Sequence, residues 1–310
     1  RARLDIALIT ADNKIAFRDQ IPLTEEEDKV DKITSTFFNI MKPKVGDRRI
    51  MGLCIIIPGI IDAENKRILS TVIGVGYSDP VVQRFEEAFH DYPFCLLNDT
   101  ACFAYAEYVF ANITEPNFAY INVSKGVGAC LFANGKMLRG AGSNATQFGH
   151  FSVDRNGPLC ACGNHGCVER VVGENALTER AEACGIDLTR FAGRKPLYCD
   201  IGAMAEDGYP HAKELINDLA VDLSFAISNL ITLFNPSLVV IGGMGVNLGP
   251  FFLSNIRDEV QNSGFKEFVS NTWIQYSTLG LDSELGGAAR YYIDHYYDFF
   301  EQMQGGLYAD

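Results

Sequence analysis

Three thiols crowd into eight residues of this 310-residue chain, and an imidazole stands ten residues ahead of the first of them. From His150 to Cys167 the spacing reads His-x9-Cys-x-Cys-x4-Cys, with Gly163 and Gly166 inside the tightest turn. Structural zinc takes four soft or borderline donors in a tetrahedron, and one imidazole with three thiolates is a standard set. Glycines let so short a loop close around an ion. The expectation is a structural zinc on Cys160, Cys162 and Cys167 plus one histidine, with His150 and His165 both within reach by spacing. Free thiols gathered by chance are the alternative.

Nine cysteines are an odd count, and Cys54, Cys95, Cys102 and Cys130 sit in apolar runs where a free thiol packs as a small hydrophobe. A reducing cytoplasm is the expected compartment. The net charge of −13 repels a phosphate backbone, and no stripe concentrates Lys and Arg, so this part is expected not to bind nucleic acid by itself. Apolar stretches such as residues 53–57 fall far short of the roughly 20 residues of a membrane span, and no basic segment followed by an apolar run opens the chain. A soluble protein with no membrane partner is expected. The start at Arg1 suggests a trimmed chain or an upstream segment.

Residues 4–10 alternate as a strand, 11–13 offer a turn, and 14–17 return as its hairpin partner. A helical pattern over 25–41 precedes a strand at 50–57, a helix at 79–90, a strand at 94–97 and a helix at 100–110. Such alternation predicts an α/β layer with a mostly parallel sheet. The pattern then restarts with short strands at 118–123, 128–132 and 136–138, the last two joined by an Asn-Gly turn. A long amphipathic helix over 211–234 stops at Asn235-Pro236, and a strand at 238–241 runs into Gly242-Gly243. Two α/β lobes are therefore expected, 1–113 and 114–287, with a cleft between them as the place for a ligand. An aromatic-rich helix at about 283–303 is expected to pack on the first lobe or on a partner subunit, its 288–310 portion completing the first lobe.

Gly149-His150 followed by Cys160-Ala161-Cys162-Gly163-Asn164-His165-Gly166-Cys167-Val168-Glu169 resembles the signature of the ROK family of repressors, open reading frames and sugar kinases. Pro58-Gly59-Ile60-Ile61-Asp62 resembles its sugar-side Pro-Gly loop, and Leu97-Asn98-Asp99-Thr100 its Asn-Asp segment. Asn134-Gly135-Lys136 to Gly140 is similar to the hairpin before the zinc region, and Ile241-Gly242-Gly243 to the turn that faces a nucleotide. The resemblance covers nearly the whole chain. It implies the duplicated actin-like, ribonuclease-H-like α/β fold, a sugar in the interdomain cleft and a homodimer or higher homo-oligomer. It also selects His150 as the zinc ligand that faces the sugar. By the same resemblance Pro58, Gly59, Asn98, Asp99, Gln147 and Glu169 line the sugar, and Asp99 is the general base in those members that are kinases. Without the resemblance, Asn98-Asp99 reads as a helix N-cap, Glu169 as a surface acid and Pro58-Gly59 as a common turn.

Three departures separate regulator from kinase. Residues 1–4 stand where the kinases have an Asp and a Gly-Gly-Thr loop, and Val123-Ser124-Lys125-Gly126-Val127-Gly128 replaces a Gly-Thr-Gly-x-Gly phosphate turn. Gln147 replaces a Glu. Side chains in such a turn obstruct the approach of backbone amides to phosphate, although Lys125 alone could reach one. The nucleotide set Lys125, Gly126, Gly128, Gly242 and Gly243 is thus expected to be degenerate. The expected function is the sugar-sensing effector part of a ROK transcription regulator, with DNA reached through an upstream domain. The alternative is an ATP- and magnesium-dependent hexose or N-acylhexosamine kinase.

Overall fold

The computed structural model describes residues 3–24, 26–62, 67–71, 80–140, 145–264 and 266–297. The described residues divide into two compact units, one drawn from 1–112 and 282–297, the other from 113–140 and 145–281. Residues 282–287, read from sequence with the second lobe, thus group with the first unit. The expected helix beyond 297 and the first residue of the expected helix at 79 lie outside the described residues.

In the first unit β1 (Arg3–Ile9) and β2 (Ile15–Pro22) form an antiparallel hairpin whose turn holds Asn13 at φ 63°, a left-handed conformation that Asn tolerates. The helical pattern of 25–41 resolves into three pieces. Asp28 caps α1 (Lys29–Thr36) by accepting the Asp31 N–H; a wide π turn covers Phe37–Met41; and α2 (Lys42–Val45) ends it. Pro43, which has no N–H and crowds the preceding turn, follows the π segment at once. Strand β3 (Leu53–Ile57) leads into β4 (Gly59–Asp62) and its antiparallel partner β5 (Arg67–Thr71); α3 (Val81–Ala88), β6 (Phe94–Asn98) and α4 (Asp99–Phe110) follow. The described strands of this unit pair as three two-stranded ladders, of which only β3 with β6 is parallel, where sequence alternation predicted one mostly parallel sheet. Burying Val30 and Ile33 of α1 and the aromatic sides of the π turn and α3 against β3 and β6 makes the core, with Phe37, Phe85 and Phe89 at its centre.

The terminal helix Ser283–Tyr296 packs on α4. Gly287 permits the contact, because a Cβ there would lie 2.1 Å from the Cys102 carbonyl oxygen. Tyr105 of α4 donates its hydroxyl to Asp294 at 2.7 Å and so ties the two helices.

The second unit is built on a five-stranded sheet. It contains β7 (Phe118–Val123), β8 (Val127–Ala133), β9 (Lys136–Met137), β10 (Leu238–Gly242) and β11 (Trp273–Tyr276) in the order β11-β10-β7-β8-β9. β10 runs parallel to β7 and β11, while β8 and β9 are antiparallel. Both β7 and β10 are buried along their whole length, which explains their mostly apolar character. Around the sheet lie α5 (Val168–Val172), α6 (Glu174–Ala183), α7 (Tyr198–Glu206), α8 (Pro210–Phe234) and α9 (Gly249–Asn262). Among the described residues α8 is the one helix long and apolar enough to cross a membrane, a property the short apolar runs of the sequence did not predict. Its Leu215, Leu219, Leu223 and Ile227 are fully buried at helical spacing in the core of this unit. Asn235 stops it in the left-handed region at φ 49°, just before Pro236.

Candidate metal centre and sugar-side residues

The metal loop is held by its own backbone. Cys160 N–H donates to the Asn164 carbonyl at 2.8 Å, Gly163 N–H to Cys160 at 2.9 Å and Gly166 N–H to Pro158 at 2.9 Å. Gly166 sits at φ 59°, and a Cβ there would lie 1.8 Å from the Asp154 carbonyl oxygen, so the return of the loop requires glycine. Gly149 is equally constrained, since a Cβ would meet the Val127 carbonyl oxygen of β8 at 1.8 Å. That contact seats His150, at the end of a short 3-10 turn, beside the sheet.

One ligand atom from each of His150, Cys160, Cys162 and Cys167 falls within 4.8 Å of the others. Cys160 Sγ is 3.6 Å from His150 Nδ1, and Cys162 Sγ is 3.6 Å from Cys167 Sγ. A tetrahedron with zinc–sulfur bonds of about 2.3 Å has edges of roughly 3.8 Å, so the spacing fits that ion. His165 stays outside the group: its Nδ1 lies 2.9 Å from the Gly157 carbonyl oxygen. Cys160 and Cys167 are buried and Cys162 is exposed. The Asn164 N–H holds the Cys162 thiol below its ordinary range, whereas burial pushes the Cys167 thiol up. A divalent cation among the four would reverse that cost of ionising Cys167.

Glu169 stands in the first turn of α5, two residues beyond Cys167. Its Oε2 accepts the Val127 N–H at 3.3 Å, and a Cβ on Gly126 would lie 2.4 Å from that oxygen. The carboxylate therefore joins the metal loop to the turn between β7 and β8. Gln147, exposed, precedes the 3-10 turn and accepts the His150 N–H through its carbonyl at 3.0 Å.

That turn is closed on itself. Ser124 N–H donates to the Gly126 carbonyl at 2.9 Å, and the Ser124 hydroxyl donates to Asn122 Oδ1 at 3.0 Å. The same hydroxyl accepts the Met244 N–H at 3.2 Å. Gly243, at φ 76°, allows this approach, for a Cβ would lie 2.2 Å from Asn122 Oδ1. Lys125 is exposed at the tip, and its carbonyl accepts the Glu174 N–H at 3.2 Å. Gly128 pairs with Asn122 across β7 and β8, and Gly242 packs on Tyr120. The amides of Ser124, Val127 and Met244 are thus already bonded within the protein.

In the first unit Asn98 is the N-cap of α4, and both ends of its amide are used. Oδ1 accepts the Ala101 N–H at 3.1 Å, and Nδ2 donates to the Gly59 carbonyl at 2.6 Å. Gly59 turns at φ 132°, directly after Pro58. The N-cap reading and the sugar-side reading therefore fall on one residue that also anchors the Pro58-Gly59 loop. Asn98→Ala is expected to lower stability by about 1–2 kcal/mol through loss of the cap, and Asn98→Ser to restore most of it. Equal urea midpoints for all three proteins would contradict the capping bond.

Asp99 follows as the first residue of α4, its Oδ1 accepting the Thr100 N–H at 2.8 Å. Burial pushes its carboxyl above the usual range. Glu284, in the first turn of the terminal helix, is pushed up to about 7 by burial and then by the charge of Asp99. Sequence reading passed over Glu284, which stood out there only as an acid near a helix start.

The ROK family model matches residues 1–294. The chain belongs to the ROK family. It is 26% identical over 250 residues to the xylose repressor of Bacillus subtilis (strain 168), a match that takes in 80% of this chain and 62% of the repressor. It is 30% identical over 183 residues to an N-acetylmannosamine kinase of Vibrio cholerae serotype O1 (strain ATCC 39541 / Classical Ogawa 395 / O395), covering 59% of this chain and 60% of that protein. Among solved structures, a ROK family transcriptional regulator homologous to the E. coli Mlc protein superposes with a TM-score of 0.79 at 24% identity, over 93% of this chain and 74% of that one. This ROK chain thus has the actin-like fold shared by the family's kinases and regulators, and it spans about three fifths of the length of the repressor it matches.

Proposed function

We propose that this chain is the sugar-responsive effector part of a ROK transcription regulator, with DNA binding carried by a part of the protein outside these 310 residues. The observation that carries the reading is the closed turn at Ser124–Val127, in which the Ser124 and Val127 amides, and the neighbouring Met244 amide, are bonded to the protein's own groups and so are taken from a phosphate. The sugar side keeps its chemistry. A buried carboxylate at Asp99 accepts strongly from hydroxyls, with Pro58, Gly59, Asn98, Gln147, His150 and Glu169 as the remaining contacts. Zinc on His150, Cys160, Cys162 and Cys167 is structural in this reading, because four protein donors leave no open position for water. The net charge of −13 supports placing DNA contacts elsewhere. Sugar shifts the population of two conformations of a cytoplasmic homodimer, and so the geometry of its DNA-binding parts.

A second reading, an ATP-dependent hexose or N-acylhexosamine kinase with magnesium, is favoured by the raised carboxyl of Asp99, which suits a general base. Incubation with ATP, magnesium and a panel of hexoses and N-acylhexosamines separates the two. The regulator reading expects no sugar phosphate, together with calorimetric binding of one sugar weakened by about tenfold or more in Asp99→Asn. Turnover that disappears in Asp99→Asn would establish the kinase instead.

A further inference from the structure

The run from Lys42 to Arg49 places four cations in eight residues of a chain whose net charge is −13, too short a cluster to read as a nucleic-acid stripe. Three of the four, Lys42, Arg48 and Arg49, border a cavity of about 470 Å³ in the first unit, just past the π turn. That volume is the size of a small-molecule site, and irregular π turns recur at functional places. Lys42, Arg48 and Arg49 line it together with the rings of Tyr92, Tyr292 and Tyr296. None of the sugar-side residues of the same unit, Pro58, Gly59, Asn98 or Asp99, does so.

The cations are placed and the wall is firm. Lys42 Nζ lies 5.4 Å from the Tyr92 ring centroid and 5.6 Å from that of Phe38, and among the described residues no carboxylate pairs with it. Arg48 is fixed by donating to the Val45 and Lys44 carbonyls at 3.0 and 3.1 Å. The single acid in the lining, Asp91, has His90 Nε2 at 3.2 Å. Tyr292 donates its hydroxyl to the Met51 carbonyl at 3.1 Å, and its ring lies over Gly52, where a Cβ would come within 2.2 Å of a ring carbon. Tyr296 stacks on it at 5.8 Å and 21°.

We propose that this pocket is a second binding site, for an organic anion that joins a phosphate group to an aromatic ring. Lysine and arginine supply charge-assisted hydrogen bonds to phosphate oxygens, and the tyrosine faces take a flat ring by stacking. The Tyr92 and Phe38 rings beside the Lys42 ammonium hold it at the rim of the pocket, within reach of an anion.

Titrating the whole chain calorimetrically with phenyl phosphate tests this. Saturable binding is expected, at least about tenfold tighter than that of inorganic phosphate and at least about tenfold weaker in Lys42→Met or Arg49→Met. Both substitutions keep an apolar stem, and an unchanged thermal midpoint confirms that each variant is folded. Binding is expected to survive in Asp99→Asn. Absence of saturation, equal affinity for phosphate with and without the ring, or full affinity in both folded cation variants overturns the proposal. So does loss of binding in Asp99→Asn, which would put the ligand on the sugar side.

Discussion

Zinc content is expected to fall from about one equivalent per chain to a small fraction when Cys162 is replaced by serine. Cys162 is the informative position because its side chain is exposed, whereas Cys160 and Cys167 are buried and their replacement would mix lost ligation with damaged packing. Removing even an outer partner of a zinc ligand typically weakens binding by about 10–100-fold, so loss of a thiolate in direct contact should exceed that. Structural zinc contributes roughly 10–16 kcal/mol in small peptides, and here it would add to the backbone hydrogen bonds that already close the loop around the turns at Gly163 and Gly166. The effect should travel. Cys167 precedes α5, and Glu169 on α5 grips the Val127 N–H, so chelation should also raise amide exchange in the turn between β7 and β8. A purified chain free of metal, whose Cys160 and Cys167 react with a thiol reagent as readily as exposed Cys199, would remove the centre from consideration.

The periodic features of the chain were readable in advance because local sequence determines them. Apolar spacing over 211–234 with Asn235-Pro236 behind it marks α8 to within a residue, and the short apolar run at 118–123 marks β7. The grouping of the three thiols was readable because a short loop forces sequence neighbours to be spatial neighbours; spacing alone left His150 and His165 open, and the family resemblance selected His150, which lies with the thiols next to Gly149 packed against β8. The π turn at Phe37–Met41 interrupts a pattern that looks continuously helical, since a one-residue widening leaves hydrophobic periodicity nearly intact. Glu284 escaped notice for a different reason. Its environment is made by Asp5 and Asp99, residues 279 and 185 positions earlier, and no local pattern announces such a meeting.

That meeting should make stability depend on pH in a direction opposite to the usual carboxylate. Burial, then the charges of Asp99, Asp5 and Asp282, raise the Glu284 carboxyl from 4.5 to about 7, while Arg18 acts the other way. Because the folded value is the higher one, the native chain holds a proton that the unfolded chain has released between about pH 4.5 and 7, and stability falls as pH rises through that window. Below it the contribution is complete; above pH 7 it is lost. The shift corresponds to about 3 kcal/mol between the two limits. Glu284→Gln, which keeps the shape and removes the charge, is expected to flatten this slope and to leave the variant more stable than the parent at pH 8, with little difference at pH 4.5. Urea midpoints across that range read the effect directly. A parent and a variant with the same slope would mean that Glu284 is solvated and far from Asp99.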